Sequence, residues 1–390
     1  MRKKSSSKII PLESARGIAA LIVFFFHFFI GYLPGIQGQE VAVAIEGGNL
    51  KDTIFFFLIN GHAAVMFFFV LSGFVLSYHY FSKEYNEGLI RSFVKRWPRL
   101  FPLALISTIY SYFMFKYDFY HHLEVSAITG SHWMQTFAKA GQEASRASFG
   151  DAFMQGFFYT FFRGDNNFNS SLWTMYYEFI GSIMVFGFIP LINNKKFVPA
   201  CILYATLIAL CYQNNLIWLA FITGSFLCYF HCQVKKPSLS FFKIPIAALA
   251  AIFSMVFFGY IEPGTGFYAF MKDIDFIKPQ SLRIILHILS SVITIILILN
   301  VKFIYKLLES KIGAFLGKCS FALYLIHVPL LFSFSNYLYL ILIKDYSQTT
   351  TSIIVLLCTL PVLFLISWLM ALIDEYWCKL INKLSLYICN

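Results

Sequence analysis

The stretch Ser14-Ala-Arg-Gly-Ile-Ala-Ala-Leu-Ile-Val-Phe-Phe-Phe-His27 places two ionisable side chains in one apolar run. Arg16 and His27 are separated by about three helical turns, so a helix presents both on one face, with a rise of roughly 16 Å between them. Ionisable groups inside a membrane helix are costly and usually line a polar pathway or a site. The stretch therefore predicts a spanning helix with Arg16 at the membrane edge and His27 near half depth.

The composition of the whole chain is that of a membrane protein. Of its 390 residues, 59% are hydrophobic and only 13% are charged, which is more apolar surface than a soluble protein can cover. The net charge of +11 raises the possibility of a nucleic-acid partner. The basic residues are spread through short loops between apolar runs, however, and orientation in a membrane explains that distribution better.

Apolar runs long enough to span a membrane occur about ten times. They lie at about 14–33, 53–80, 98–116, 171–192, 197–213, 215–232, 244–261, 281–301, 313–341 and 351–376. With a cytoplasmic N-terminus, the cytoplasmic loops hold more than two thirds of the 30 Lys and Arg residues, as the positive-inside rule requires. We therefore predict an all-α, polytopic transmembrane bundle of about ten spanning helices with both termini cytoplasmic. It forms a single domain over residues 1–390, with no appended soluble domain.

Two segments between the third and fourth runs need separate interpretation. Phe153–Phe162 is apolar but only about ten residues long, which indicates an interfacial or re-entrant piece rather than an eleventh span. The external connection, about Tyr117–Asp151, either shapes an entry for an outside substrate or merely caps the bundle.

A basic motif precedes the third run, in Arg91-Ser-Phe-Val-Lys-Arg96-Trp-Pro-Arg99. Pro98 fits the first turn of a helix, where its missing N–H costs nothing. Arg96 and Arg99 would then flank a helix N-terminus, whose unpaired N–H groups and positive dipole end suit a phosphate-rich ligand. Anchoring to anionic lipid headgroups is the alternative. The presence of Arg16 at the same membrane edge favours a phosphate-rich ligand over lipid headgroups.

The fourth run carries an acidic residue, in Asn169-Ser-Ser-Leu-Trp-Thr-Met-Tyr-Tyr-Glu178. Glu178 lies about 9 Å below Leu172 at helical rise, so it is inside the membrane and must be paired, protonated or facing water. We expect Glu178 and His27 to meet near half depth as a general-base pair. A structural lock between Glu178 and an Arg or a His is the alternative.

Two further residues are candidates for lining the site. Ser72 precedes Gly73 in a bulky run, where small residues admit a ligand or simply another helix. His327 lies near half depth beside Pro329, which bends a helix, although a satisfied core histidine is equally consistent. No metal site is predicted.

Together these motifs resemble the membrane acyltransferase-3 family, bacterial inner-membrane enzymes that O-acylate cell-surface carbohydrates. Five elements carry the resemblance in order: Arg16 with His27, Phe-Phe-Val-Leu-Ser72-Gly73-Phe74, Arg96 with Arg99, Ser171-Leu-Trp173…Glu178, and Ser320…Leu323-Tyr-Leu-Ile-His327-Val-Pro329. The chain departs from the family pattern at Glu13-Ser-Ala, where Asp-Gly-Leu is common, and at Phe179, where a second acidic residue is frequent.

The resemblance implies a cytoplasmic acyl-CoA donor, usually acetyl-CoA, a carbohydrate hydroxyl as acceptor, a lipid bilayer around the protein and no permanently bound cofactor. It also implies that Arg16, His27, Arg96 and Arg99 are functionally essential. We expect the three arginines to hold the phosphates of the donor. We expect His27 to accept the proton of the sugar hydroxyl, with Glu178 supporting the imidazolium. Trp173 and Tyr324 lie within the shared motifs and are expected to line the site. The absence of a fused extracytoplasmic domain favours a lipid-linked or membrane-proximal sugar acceptor, and the sequence carries no signal for oligomeric state.

A proton-coupled transporter or exporter of a glycan or small molecule is the competing interpretation, with the buried His and Glu as a proton relay. The sequence contains neither a detectable inverted repeat nor a matching pair of Gly/Pro-broken helices, which speaks against it.

Overall fold

The computed structural model describes residues 9–38, 49–82, 88–136, 148–192, 196–233 and 244–388, and these residues form a helical bundle without strands. Its helices are α1 (Ile10–Tyr32), α2 (Gly61–Phe81), α3 (Leu89–Val94), α4 (Arg96–Lys116), α5 (His122–Thr129), α6 (Phe149–Met154), α7 (Trp173–Ile192), α8 (Phe197–Asn214), α9 (Leu216–Gln233), α10 (Ile244–Gly259), α11 (Pro279–Asn300), α12 (Lys302–Leu308), α13 (Lys311–Leu330), α14 (Asn336–Leu342) and α15 (Gln348–Ile388). The predicted all-α polytopic bundle is confirmed.

Each of the ten predicted runs contains a long helix, and eight helices in the described residues are long and apolar enough to cross a membrane. The other two are α10, which is apolar but has only 16 residues, and α4, whose 21 residues include Arg96 and Arg99. Large apolar side chains such as Ile202, Ile244 and Leu357 are exposed on the outside of the bundle. Contact between such a surface and the acyl chains of a bilayer is favourable, whereas its contact with water is not.

Two helix boundaries differ clearly from the prediction. α2 begins only at Gly61, because Asn60 caps it by accepting a hydrogen bond from the Ala63 N–H, and residues 54–58 form a short 3₁₀ turn instead. α15 continues well past the predicted end of its run, to Ile388.

Both described ends of the chain lie at the same end of the bundle, which we call the proximal end; the opposite end is the distal end. Ser14, near the start of α1, donates to the Leu308 carbonyl oxygen just before α13 (2.6 Å). Lys318 of α13 pairs with Glu375 of α15 (3.0 Å). The start of α1, the start of α13 and the last turns of α15 are therefore neighbours, and the proximal end is the one that the loop charges predict to be cytoplasmic.

Close backbone contact fixes α1 against α13. A Cβ on Gly17 would lie 2.4 Å from the Leu316 carbonyl carbon, and a Cβ on Gly317 would lie 2.6 Å from the Glu13 carbonyl oxygen. Small residues of this kind let two membrane helices approach closely. The two helices run in parallel from the proximal end, and this contact brings their later residues, His27 and His327, side by side.

Gly73 makes a similar contact between α2 and α9, since a Cβ there would lie 2.1 Å from the Phe221 carbonyl oxygen. The helix-packing interpretation of Ser72-Gly73 therefore holds for Gly73.

The short apolar stretch between α4 and α7 is re-entrant. Residues 149–162 are helical, with a π-helical turn at Gln155–Tyr159, and they run back along α4. The Phe149 ring contacts Tyr112 near the distal end of α4, and the Phe157 carbonyl accepts a hydrogen bond from Trp97 near its proximal end (2.9 Å). The chain then turns back through residues 163–169 before α7 begins, so this segment adds no net crossing.

We predict that Gly317→Leu separates α1 from α13 and destabilises the fold by at least about 1–3 kcal/mol, because the new side chain meets backbone that cannot move aside. The measurement is the thermal midpoint of the detergent-solubilised protein, followed by size-exclusion chromatography.

Gly187→Leu on α7 is the matched control, since a Cβ at Gly187 meets nothing within 4 Å. Equal thermal midpoints for the two leucine variants would contradict the proposed contact.

Candidate active site

A cavity of about 530 Å³ lies at the proximal end between α1, α2, α4, α7, α13 and α15, and we call it the main cavity. Its volume falls within the range of about 300–1,000 Å³ that is usual for ligand sites. The predicted site residues among those lining it are Arg16, Ser72, Arg96, Arg99, Glu178 and Tyr324. His27, His327 and Trp173 are not among the described residues that line it.

Arg16 reaches the main cavity from the second turn of α1. It forms an ion pair with Glu13, three residues earlier on the same helix. The Arg16 Nε atom is buried and has no hydrogen-bond partner among the described residues. Glu13, where the chain departs from the family pattern, thus serves as the counter-ion of Arg16.

Arg96 is neutralised by Glu178 on a different helix. Arg96 is 9% exposed, and its Nη2 donates to Glu178 Oε1. The Ser72 hydroxyl lies 2.9 and 3.0 Å from the two carboxylate oxygens of Glu178. Breaking a buried ion pair leaves an uncompensated charge in an apolar region, which is costly. This Ser72–Glu178–Arg96 cluster therefore joins α2, α7 and α4 at the wall of the main cavity.

Glu178 and His27 do not contact each other, so the predicted general-base pair does not form. Each of the two residues has other partners instead. The reason is the level at which α7 begins. Asn169, which precedes α7, donates to the Leu325 carbonyl oxygen (2.6 Å), two residues from His327. The chain therefore enters α7 at the depth of the histidines, and Glu178 lies roughly 10 Å or more closer to the proximal end. The observed contact is instead the alternative interpretation, a structural lock between Glu178 and an arginine.

The start of α4 is also less open than the sequence predicts. Pro98 does lie in the first turn of α4, but α3 precedes this helix with only Lys95 between them. The Lys95 N–H donates to the Arg91 carbonyl oxygen (3.1 Å), and the Arg99 N–H donates to that of Lys95 (3.0 Å). The N–H group of the capping residue Lys95 is thus already used, and that of Arg99 makes the first regular hydrogen bond of α4. An anion here has to be held mainly by the basic side chains.

His27 and His327 are paired behind the inner end of the main cavity. The His327 Nε2 and His27 Nδ1 atoms are 3.0 Å apart, and His327 is fully buried. The Tyr324 ring, which lines the main cavity, lies 5.7 Å from the His327 ring between centroids. Tyr324 therefore stands between the main cavity and the histidine pair.

The hydrogen bonds around the two rings assign their tautomers. His27 Nδ1 lies 3.0 Å from the Val23 carbonyl oxygen, and His327 Nδ1 lies 2.7 Å from that of Tyr324. A carbonyl oxygen only accepts, so the neutral form of each ring carries its proton on Nδ1. The His27 N–H is then shared between the Val23 oxygen and His327 Nε2. Both contacts of His27 use Nδ1, which leaves its Nε2 as the basic nitrogen.

Trp173 is turned away from the main cavity. Thr174 and Glu178 are four residues apart on α7 and both line the cavity, so they share a helix face. Trp173 points to a different face, where its ring packs on Tyr177 with centroids 5.8 Å apart. The Trp173 ring therefore packs beside the main cavity and does not line it.

Trp133 is a site neighbour that sequence reasoning missed. Its half-buried ring lies 4.9 Å from the His27 ring between centroids, on the distal side. The Ser131 hydroxyl anchors this segment by donating to the Ile30 carbonyl oxygen of α1 (2.7 Å). An indole in a polar external stretch is a weak signal, and nothing in the local pattern connects it to His27.

Comparison with known proteins decides the family. A family model described as an acyltransferase domain matches residues 10–372, which is nearly the whole chain. The chain belongs to the acyltransferase-3 family. No curated protein and no solved structure matches it. Membership of the acyltransferase-3 family, together with the apolar helices, makes the protein a multi-pass membrane acyltransferase.

For this acyltransferase-3 protein we predict that Glu178→Gln lowers the free energy of unfolding by roughly 3–5 kcal/mol, because Arg96 keeps its buried charge without a counter-ion. Ser72→Ala should cost less, about 1.5–3 kcal/mol, the usual net value of a hydrogen bond to a charged group. The measurement is the thermal midpoint of each purified variant.

The double variant Arg96→Met with Glu178→Met should recover most of the stability, since replacing a buried ion pair with apolar residues is often neutral. A Glu178→Gln protein as stable as the wild type would show that the pair is not the lock described.

Proposed function

We propose that the protein transfers an acyl group, acetyl in the simplest case, from acyl-CoA at the cytoplasmic face to a hydroxyl of a cell-surface or lipid-linked carbohydrate, in a bacterial inner membrane. The observation that carries this proposal is the alignment of the main cavity with the histidine pair. Basic residues stand at the proximal mouth, Tyr324 closes the inner end, and His27 with His327 lies directly behind it.

The donor assignment is supported by hydrogen-bond donors that the fold leaves unused. Arg16 Nε and Arg96 Nε are buried without a partner among the described residues, although both side chains are in ion pairs. Buried N–H groups without partners are rare in folded proteins, so each points to an oxygen atom of a ligand. Arg99 lines the same mouth. The pantetheine arm of acyl-CoA is an extended chain that would follow the main cavity inward from these residues.

The reaction needs one base near the thioester. In the proposed step, His27 Nε2 accepts the proton of the sugar hydroxyl while the oxygen of that hydroxyl attacks the thioester carbon. The carbon–sulfur bond then breaks, and the leaving thiolate takes the proton back from the imidazolium. The products are the sugar ester and free CoA thiol, with no net proton change. General-base catalysis of this kind contributes about 10²–10⁴-fold.

His327 is a positioning residue in this scheme, because its Nε2 accepts from His27 Nδ1–H and so keeps the basic nitrogen of His27 turned away from α13. Glu178 acts at a distance from the reacting atoms, by holding Arg96 at the mouth of the main cavity. The acceptor is expected from the distal side, where the Trp133 ring lies against His27.

We predict that His27→Ala reduces acyl transfer by about 10²–10⁴-fold while acetyl-CoA binding to the purified protein is retained, since the base is lost and the proximal mouth is intact. Transfer is measured as the acyl mass gained by surface glycans of cells that make the protein, and binding is measured by calorimetry.

His132→Ala is the control, an exposed histidine on the external segment. If His27→Ala inserts normally and acylates at the wild-type rate, the mechanism is wrong. If the wild-type protein neither binds acetyl-CoA nor releases free thiol, the transporter interpretation is favoured instead.

A further inference from the structure

His27 is open on a side that the main cavity does not reach. It is half-buried, whereas its partner His327 is fully buried, and it does not line the main cavity. Both hydrogen-bonding contacts of His27 use Nδ1, so its Nε2 has no partner among the described residues. Polar groups inside a protein are normally hydrogen-bonded to protein, ligand or water. The side chains around the open part of His27 therefore indicate what binds there.

A second histidine lies beside this opening, at the start of α2. The Phe26 ring lies 5.3 Å from the His27 ring and 5.3 Å from the His62 ring between centroids, so the two imidazoles are within about twice that distance of each other. His62 is half-buried, and neither of its ring nitrogens is hydrogen-bonded to a described residue. A neutral His62 therefore offers one N–H donor and one nitrogen acceptor to a ligand.

The position of His62 is fixed by the residues just before it. A Cβ on Gly61 would lie 2.7 Å from the Phe26 ring, so α2 begins in tight contact with α1. The side chain of Asn60 is fully buried and donates to the Phe258 carbonyl oxygen (2.7 Å), which ties the same turn to the end of α10. His62 thus stands on a rigid turn, as the polar groups of binding sites generally do.

Trp133 supplies an aromatic surface at the same opening. Its ring lies 4.9 Å from the His27 ring and 5.0 Å from the Phe332 ring between centroids. Met134, the next residue, is fully buried, whereas Trp133 is half-buried, and no hydrogen bond engages its indole N–H within the described part of the chain. Aromatic rings beside a few polar groups suit a sugar, because its C–H face packs on a ring while its hydroxyls take the polar groups.

The charge nearest to this opening is compensated. Arg283 of α11 lies within electrostatic range of His62. Glu262 neutralises Arg283 in an ion pair of 2.9 Å. An anionic ligand gains little from a cation that already has its counter-ion, so the surroundings of His62 fit an uncharged ligand better.

We propose that His62, Trp133 and the open side of His27 form the acceptor site, and that this site takes an uncharged sugar unit. The inference rests on the proposed function above and adds the residues that select the acceptor. Trp133 packs on the C–H face of the sugar ring, and His62 hydrogen-bonds a hydroxyl next to the one that attacks. The attacking hydroxyl is thereby held against His27 Nε2. His62 and Trp133 bind the acceptor and take no part in the proton transfer.

The test measures acetylation of a glycolipid extract of the cells that make the protein, by the full-length protein in phosphatidylcholine nanodiscs supplied with acetyl-CoA. Trp133→Ala should raise the KM for the extract by roughly ten-fold, because the sugar loses its aromatic support, and leave the KM for acetyl-CoA unchanged. Trp133→Phe keeps an aromatic face and should lose much less.

His62→Ala should raise the KM for the extract by roughly five-fold, the usual value of one hydrogen bond, again with no change for acetyl-CoA. His62→Gln keeps a donor and an acceptor and should restore most of the loss. Because Trp133→Ala also loses packing on Phe332, His62→Ala decides the matter if the tryptophan variant does not fold.

His132→Ala is the matched control, since His132 is an exposed histidine next to Trp133 in the chain, and it should behave as the wild type. An unchanged KM for the extract in His62→Ala and Trp133→Ala, or an equal rise in the KM for both substrates, would overturn the inference and leave the proposed function standing. Acetyl groups found only on acidic sugar units would contradict the uncharged acceptor. If the wild type acetylates no component of the extract, the proposed function fails and the inference fails with it.

Discussion

An arginine buried in an apolar bundle has to be neutralised where it lies, and Arg96 obtains its counter-charge from Glu178 on another helix. Through the Ser72 hydroxyl the same carboxylate also engages α2, so one acidic residue connects three walls of the main cavity. The level of α7 makes this possible. Because the chain re-enters the bundle before α7 begins, Glu178 reaches the proximal end, where the guanidinium groups are. Arg99, about one helical turn after Arg96 on α4, lines the same end of the main cavity.

The charged groups that line the main cavity lie apart from the histidine pair. Charged groups are grouped at the proximal end, whereas the histidine pair lies deeper among apolar and aromatic side chains, with Tyr324 on one side and Trp133 on the other. The backbone contact between α1 and α13 sets the spacing of the two imidazoles, and backbone carbonyls set their tautomers. Main-chain atoms thus orient the two imidazoles, so their geometry depends on helix packing rather than on an acidic partner.

Periodicity and composition predicted the class of fold and the ten helical runs, because a run of apolar residues has few alternatives to a buried or spanning helix. They also placed Arg16, Arg96 and Arg99 at one membrane edge. Periodicity and composition did not predict the depth of a residue in the membrane where that depth depends on tertiary structure. Rise per residue located Glu178 relative to Leu172 correctly, but not Leu172 relative to the membrane, since the re-entrant segment shifts the starting level. Trp173 shows the same limit on a smaller scale, because a motif does not say which helix face turns inward. The pairing of His27 with His327, 300 residues apart, is a packing result that no local pattern contains.

α15 has 41 residues and is therefore roughly 60 Å long, about twice the thickness of the hydrocarbon core of a bilayer. One face of its first half packs against the bundle, while its later turns carry Asp374, Glu375 and Asn382 to the main cavity. A single helix, with Pro361 inside it, thus extends from the distal end of the bundle to the main cavity. Helices that are too long for their bilayer respond by tilting. An untilted α15 would extend well beyond the hydrocarbon core, which places the acidic residues of its later turns, Asp374 and Glu375, outside the apolar part of the bilayer.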